Sequence, residues 1–358
     1  MMGRDDVETA IKARFDALAK PIDGFGSFED MICRIGAVLG TPEPDISKKA
    51  LVIMIADNGV TARGISQTDR SVTAKVAALM AKDKSSVGLM TQGTDISLMP
   101  VDIGIDSDHP VPGLIDMKVM RGTRDIVNER AMSEDECRRA IRAGEEIARR
   151  CLDDGIRIVA TGEMGIGNTT TSAALFCALT GASPSDVAGR GAGLSDVGLA
   201  RKIGVIETAL ERHLSGLMRD GIPASGFPVT GPENAFLALS SLGGLDIAGL
   251  VGVFKGCSDC RIPVVIDGAI SAVAALAASL IYPGCEKAML ASHSGREKIT
   301  GMVHGILGIT PVINADLSLG EGTGAVMLFP LLDMVLRVYN GLESFGDAGI
   351  IPYERFDK

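Results

Sequence analysis

Leu51-Val-Ile-Met-Ile-Ala56 is a continuous apolar run that stops abruptly at Asp57-Asn-Gly-Val60. A strand with one wet face alternates apolar and polar residues, so an unbroken run requires cover on both faces. The pattern recurs. Residues 86–90 (Ser-Val-Gly-Leu-Met) and 96–105 read as further strands, the second closing on Asp102-Ile-Gly-Ile-Asp106. Residues 156–160, Ile262-Pro-Val-Val-Ile-Asp267 and Lys287-Ala-Met-Leu-Ala291 extend the set, the last ending at Ser292-His293. Between them lie helical patterns at 133–154, 196–217, 247–254 and 269–280. Strands alternating with helices specify a mostly parallel sheet with right-handed crossovers. Ligands of such sheets bind beyond the carboxyl ends of the strands, where Asp57, Asp102, Glu163, Asp267 and His293 fall.

The expected fold class is α/β, a three-layer, Rossmann-like, mostly parallel sheet occupying a large domain over residues 46–299. Residues 5–39 carry two helical patterns around Lys20-Pro-Ile-Asp-Gly-Phe-Gly26, and Pro21 cannot continue the first. Past residue 300 the pattern is helical again, with Leu319-Gly-Glu-Gly-Thr-Gly-Ala325 opening an apolar helix to Tyr339. Segments 1–45 and 300–358 are therefore expected to pack together as a small helical domain.

Aromatics make up only 4% of the chain and Trp is absent, so Ala, Val, Ile, Leu and the 16 Met must build the core. The formal net charge of −10, with no basic stripe, argues against a nucleic-acid partner. The longest apolar stretch, 262–282, is broken by Asp267 and Gly268 and reads as a strand turning into a helix, not a membrane span. Met1 to Asp6 carries charge at once and shows no apolar leader, so a cytoplasmic protein is expected. Seven scattered cysteines then read as reduced thiols. Cys257-Ser-Asp-Cys260 has redox or zinc spacing, yet no second pair or His cluster accompanies it, and packing is the better reading. His109, His213 and His304 show no metal spacing, and no metal or cofactor is expected.

Chemistry concentrates in Thr161-Gly-Glu-Met-Gly-Ile-Gly-Asn-Thr-Thr-Thr171, between an apolar strand and an alanine-rich helix. Glycines let backbone approach an anion, and the first amides of a helix lack internal partners. Asn168 and the threonines are expected to cap the helix and to add donors for a phosphate. Glu163 would repel phosphate, so it must face another part of the ligand, such as a cationic ring or a sugar hydroxyl. A tight turn before a well-capped helix is the plain alternative. No Lys follows the last glycine as in a P-loop, and the third glycine of a dinucleotide fingerprint is missing. Gly320-Glu-Gly-Thr-Gly324 is the second signal. Its lone carboxylate is either a helix-capping acid or a general base on a rigid loop.

Together these stretches resemble the nicotinate-nucleotide:dimethylbenzimidazole phosphoribosyltransferases of cobalamin biosynthesis. The matching segments are Lys20-Pro…Gly24-Phe-Gly26 with Glu29, Ala56-Asp-Asn-Gly-Val60, Gly162-Glu-Met-Gly-Ile-Gly-Asn-Thr-Thr170, Gly189-Arg-Gly-Ala-Gly193 with Lys202, and Leu319-Gly-Glu-Gly-Thr-Gly324. Asp267-Gly268 and Ser292-His293 also fit. The resemblance implies that nicotinate mononucleotide lays its 5′-phosphate on Gly165, Ile166, Gly167, Asn168, Thr169 and Thr170, with Lys202 assisting. It implies that Glu321 takes the proton of an incoming aromatic base while C1′ inverts from β to α. Glu163 would help hold the ribose or the base, and Asp267, Gly320 and Gly322 are further substrate-binding candidates. A homodimer, or a heterodimer with a paralogous chain, is the implied assembly.

The departures fall in the acceptor pocket. The family pattern has His at Asn58, and Ser and Gln at Thr68 and Val76; the segment 88–93 differs as well. Replacing an amide by Val76 removes a hydrogen-bonding group, worth about 1–3 kcal/mol when its partner is left buried. An altered acceptor range that includes phenol or p-cresol is one consequence; drift at a rim position is the other. A non-catalytic paralogous subunit is the rival reading, and retention of Glu321 and of the loop at 163–170 speaks against it. A nicotinamide-dependent oxidoreductase lacks its fingerprint here. The phosphoribosyl reading requires the Glu321 carboxyl to face the cavity that the loop at 163–170 lines.

Overall fold

The structure, a computed structural model, describes residues 3–217 and 229–355. Helices α1 (Arg4–Ala17) and α2 (Ser27–Leu39) flank the turn at 20–26. Glu29, only 1% exposed, staples that turn, accepting from Lys20 Nζ at 2.7 Å and from the Phe25 amide at 3.2 Å. This matched motif is therefore an ion-paired support between two helices. It lies outside the cavity described below.

Strand β1 (Lys49–Ala56) is buried along its whole length. Ala50, Val52 and Met54 enter one core, and Leu51, Ile53 and Ile55 enter the other. That division is the physical content of its unbroken apolar run. Next come α3 (Ser71–Met80), α4 (Ser86–Thr91) and β2 (Ile96–Gly104). The segment at 86–90, expected as a strand, is the helix α4. Ser85 caps it by accepting from the Gly88 amide at 3.1 Å. Val87, Gly88 and Thr91 are buried while Leu89 is 59% exposed, a spacing that suits a helix and not a pleat.

The chain continues through β3 (Ile115–Asp116), α5 (Glu134–Asp153), β4 (Ile158–Met164), α6 (Asn168–Thr180), α7 (Pro184–Val187), α8 (Asp196–Leu217), α9 (Pro232–Leu242) and α10 (Leu245–Asp259). Then follow β5 (Val264–Ile266), α11 (Ala269–Ile281), β6 (Met289–Ala291), β7 (His293–Gly295), α12 (Lys298–Leu307), β8 (Ile313–Leu317) and α13 (Thr323–Gly341). Six strands form a sheet in the order β3-β2-β1-β4-β5-β6, and every neighbouring pair is parallel. Strands β7 and β8 pair separately. Their residues carry no apolar run, so the sequence did not mark them.

Helices α5, α6, α10 and α11 cover one face, while α1, α2 and α13 cover the other. Phe15 of α1 meets Tyr339 of α13 at 4.7 Å between ring centroids, which ties the two ends of the chain together. Among the described residues no helix is long and apolar enough to cross a membrane. Cys257 is buried in α10 and Cys260 follows it; burial raises both thiol pKa values, as suits packing residues. From β1, strand order runs outward through β2 on one side and β4 on the other. A crevice therefore opens at the carboxyl ends of β1 and β4, where such sheets bind ligands.

Candidate active site

Strand β4 delivers Glu163 to that crevice, in register with Met54 of β1. Gly167, at φ 95°, turns the chain into α6, and no side chain caps the first turn. The expected Asn168 cap is absent because that side chain is engaged elsewhere. Asn168, 5% exposed, donates through Nδ2 to Glu163 Oε2 and to Asp246 Oδ2, the latter at 3.0 Å. Desolvation raises the Glu163 carboxyl to about 8 and Asp246 to about 7. Each acid also feels the negative charge of neighbouring carboxyls, while the Asn168 amide opposes the rise. The loop is fixed from behind by Thr73, whose Oγ1 accepts from the Ile166 amide at 3.2 Å.

The raised acid carries a pH signature. Between the ordinary carboxyl value of 4.5 and about 8, folded Glu163 keeps a proton that the unfolded chain has released. Stability from this group is complete below that window and falls as pH rises through it. Glu163→Gln retains an oxygen acceptor for Asn168 and removes the titration. Denaturant melts at pH 5, 6.5 and 8 should show the variant gaining on the wild type as pH rises. Parallel curves would refute the assignment.

Opposite Glu163 lies the second glycine loop. Gly320, Glu321 and Gly322 all adopt left-handed backbone, with φ of 83°, 60° and 84°. For Glu321 that conformation costs about 1–2 kcal/mol, and strain of this kind gathers at functional sites. The loop lies directly on β4: a Cβ at Gly162 would stand 2.7 Å from the Glu321 carbonyl oxygen. Asp267, just past β5, ties the loop down. Its Oδ2 accepts from the Gly322 amide at 3.2 Å and its Oδ1 from the Ala325 amide at 3.0 Å, in the first turn of α13. The Glu321 carboxyl reaches across to α4, where Oε2 accepts from the Val87 amide at 3.2 Å.

These groups line one cavity of about 310 Å³. Its walls include Glu163, Gly165, Ile166, Gly167, Asn168, Thr169, Asp267, His293, Glu297, Gly320 and Glu321, with Ile65, Val76 and Leu194 supplying apolar surface. Among the described residues no Lys or Arg lines it. The nearest ammonium in the loop's network is Lys202, fully buried behind the wall, donating from Nζ to Thr169 Oγ1 at 2.9 Å and to the Gly189 carbonyl at 3.0 Å. Burial lowers Lys202 to about 8 against the opposing pull of Glu297. The cavity is thus acidic, with a glycine turn, an uncapped helix start and a buried ammonium grouped on one side.

A family model described as phosphoribosyltransferase matches residues 3–350. The nicotinate-nucleotide–dimethylbenzimidazole phosphoribosyltransferase of Acetivibrio thermocellus is 38% identical, spanning 96% of this chain and 94% of that relative. The enzyme of the same name from Chloroflexus aggregans is 37% identical over 97% of this chain and 94% of that relative. The chain belongs to the nicotinate-nucleotide:dimethylbenzimidazole phosphoribosyltransferase family. The crystal structure of CobT from Thermus thermophilus agrees, with a TM-score of 0.88 at 32% identity over 97% of this chain and all of that one.

Within this phosphoribosyltransferase fold, the residues singled out from sequence fall at three depths. Glu321, Glu163, Gly165, Ile166, Gly167, Asn168, Thr169, Gly320, Asp267 and Val76 meet at the cavity. Lys202, Thr170 and Gly322 stand outside its lining, and Thr170 Oγ1 is buried without a hydrogen-bond partner. Thr68 is exposed and does not line the cavity, so an acceptor contact there finds no support in this geometry. Sequence reasoning passed over Asp246, whose only mark is an acid after Gly243-Gly244 at the opening of an apolar helix. It also left His293 unassigned.

Proposed function

We propose that this chain transfers the 5-phosphoribosyl group of nicotinate mononucleotide to an aromatic base, inverting C1′ and releasing nicotinate. The observation that carries the reading is the shared cavity of Glu321 and the loop at 163–169, acidic toward a ligand ring and bounded elsewhere by the glycine turn and uncapped start of α6 with Lys202 behind it. A pyridinium nucleotide has that division of charge, a cationic ring joined through ribose to an anion. At the uncapped start of α6 the Asn168 and Thr170 amides close onto the Gly165 and Gly167 carbonyls, leaving the Thr169 amide for the phosphate, and Lys202 adds positive charge from behind Thr169.

In the reaction an acceptor nitrogen or oxygen attacks C1′ as the C1′–N bond to nicotinate breaks. The bonding pair goes to the pyridinium nitrogen, which becomes neutral, and Glu321 takes the acceptor's proton. The Val87 amide holds one Glu321 oxygen, leaving the other for that proton. Holding the reactants in line accounts for up to roughly 7–11 kcal/mol of barrier lowering. Glu163, beside Gly320, faces the ring or ribose, and a bound cation there favours loss of its proton. A non-catalytic paralogous subunit would have no use for a strained Glu321 at the cavity wall.

Val76 makes the acceptor wall apolar where the family pattern carries an amide, which favours an acceptor range that includes phenols. The purified protein, incubated with nicotinate mononucleotide and either dimethylbenzimidazole or p-cresol, should release nicotinate and form an α-riboside 5′-phosphate identified by NMR. Absence of nicotinate release with every acceptor overturns the transferase reading. Turnover with dimethylbenzimidazole alone overturns the phenol extension.

A further inference from the structure

His293 opens β7, two residues past β6, and is 3% exposed at the cavity wall. Its ring is held on two sides. Nδ1 lies 2.9 Å from Ser292 Oγ, and the ring edge packs against α13 where a Cβ on Gly324 would stand 2.1 Å from Nδ1. The hydrogen-bond chain assigns the tautomer. Ser292 Oγ is 2.6 Å from the Ile266 carbonyl, which can only accept, so the single hydroxyl proton lies between them. Nδ1 must then be the donor to Ser292, and Nε2 keeps its lone pair. Burial lowers the pKa of the ring, which favours this neutral form.

Nε2 makes no hydrogen bond within the described residues and faces the corner of Gly295 and Thr300. The Thr300 hydroxyl, fully buried and also at the cavity wall, likewise lacks a partner. A Cβ placed on Gly295 would lie 3.3 Å from Thr300 Oγ1 and 3.8 Å from His293 Nε2, so the two polar atoms converge on one point that only a glycine leaves open. Of the two, the Thr300 hydroxyl is a buried orphan and costly to leave so, and a ligand group that pairs it while also meeting the free Nε2 lone pair recovers that cost. A hydroxyl does so, donating to Nε2 and accepting from Thr300. A carboxylate or phosphate does not: Nε2 offers no proton, and Asp267 and Glu297 line the same side of the cavity.

We infer that His293 Nε2 and Thr300 Oγ1 form a sugar-hydroxyl subsite that binds one ribose hydroxyl of the nucleotide donor. The inference rests on the nucleotide reading above and assigns the corner of the site that reading leaves open. Calorimetry with nicotinate mononucleotide and its 2′-deoxy and 3′-deoxy analogues tests it without requiring turnover. One analogue should bind the wild type about tenfold more weakly than the parent nucleotide. His293→Phe should weaken the parent by a similar factor and leave that analogue unchanged, while His293→Gln, which keeps an acceptor, restores part of the difference. Equal binding of all three nucleotides to the wild type overturns the subsite. So does a His293→Phe loss that is the same for parent and analogues, because a structural ring would act on all alike. Tight binding of the parent without nicotinate release in the acceptor assay would instead sink the transferase reading alone.

Discussion

Glu321→Gln should lower kcat by roughly 10²–10⁴-fold while the KM for nicotinate mononucleotide stays within a few-fold. The substitution is chosen for what it preserves. Gln has the same length, and its carbonyl oxygen can accept from the Val87 amide as Glu321 Oε2 does now. The left-handed backbone at φ 60° and the contact with β4 at Gly162 are untouched. Only basicity is removed. The loss should be smaller for acceptors that surrender their proton easily, so a series of substituted phenols ordered by acidity supplies a second readout. A Gln variant with wild-type kcat would mean that the carboxyl only anchors α4.

Much of this architecture was legible because burial on two faces leaves a mark in composition. The apolar run at 51–56 became β1, and the helical pattern at 196–217 became α8 over the same residues. The misread segment at 86–90 is instructive. It is too short for periodicity to separate helix from strand, and what decides is the Ser85 hydroxyl capping the Gly88 amide. Pairing at the site was less legible than its membership. The two glycine-flanked acids announce themselves, since glycines around a carboxylate are unusual in packed structure. The Asn168 bridge from Glu163 to Asp246 does not, because nothing in the sequence says that residue 246 folds back beneath residue 168. Nor does the sequence reveal which neighbour orients His293; that depends on which way one serine proton points.

Asp267→Ala should cost both stability and rate, for one physical reason. Asp267 is 2% exposed, and its two oxygens serve the Gly322 and Ala325 amides at the start of α13. Removing them orphans two buried donors, at about 1–3 kcal/mol each, and frees a loop whose conformation is already strained. Asp267 also lines the cavity, so a direct substrate contact is the competing account. The two differ in kinetics. If the residue positions Glu321, a shift of about 1 Å in that carboxyl costs on the order of 10²-fold in kcat and leaves the KM for the nucleotide nearly unchanged. If it binds the sugar, KM rises and kcat holds. Denaturant midpoints of Asp267→Ala and Asp267→Asn, read beside their kcat and KM, separate the cases: Asn keeps one acceptor and should recover part of the stability. An Asp267→Ala protein that melts with the wild type and turns over at the wild-type rate would show that the glycine loop holds its shape without this carboxylate.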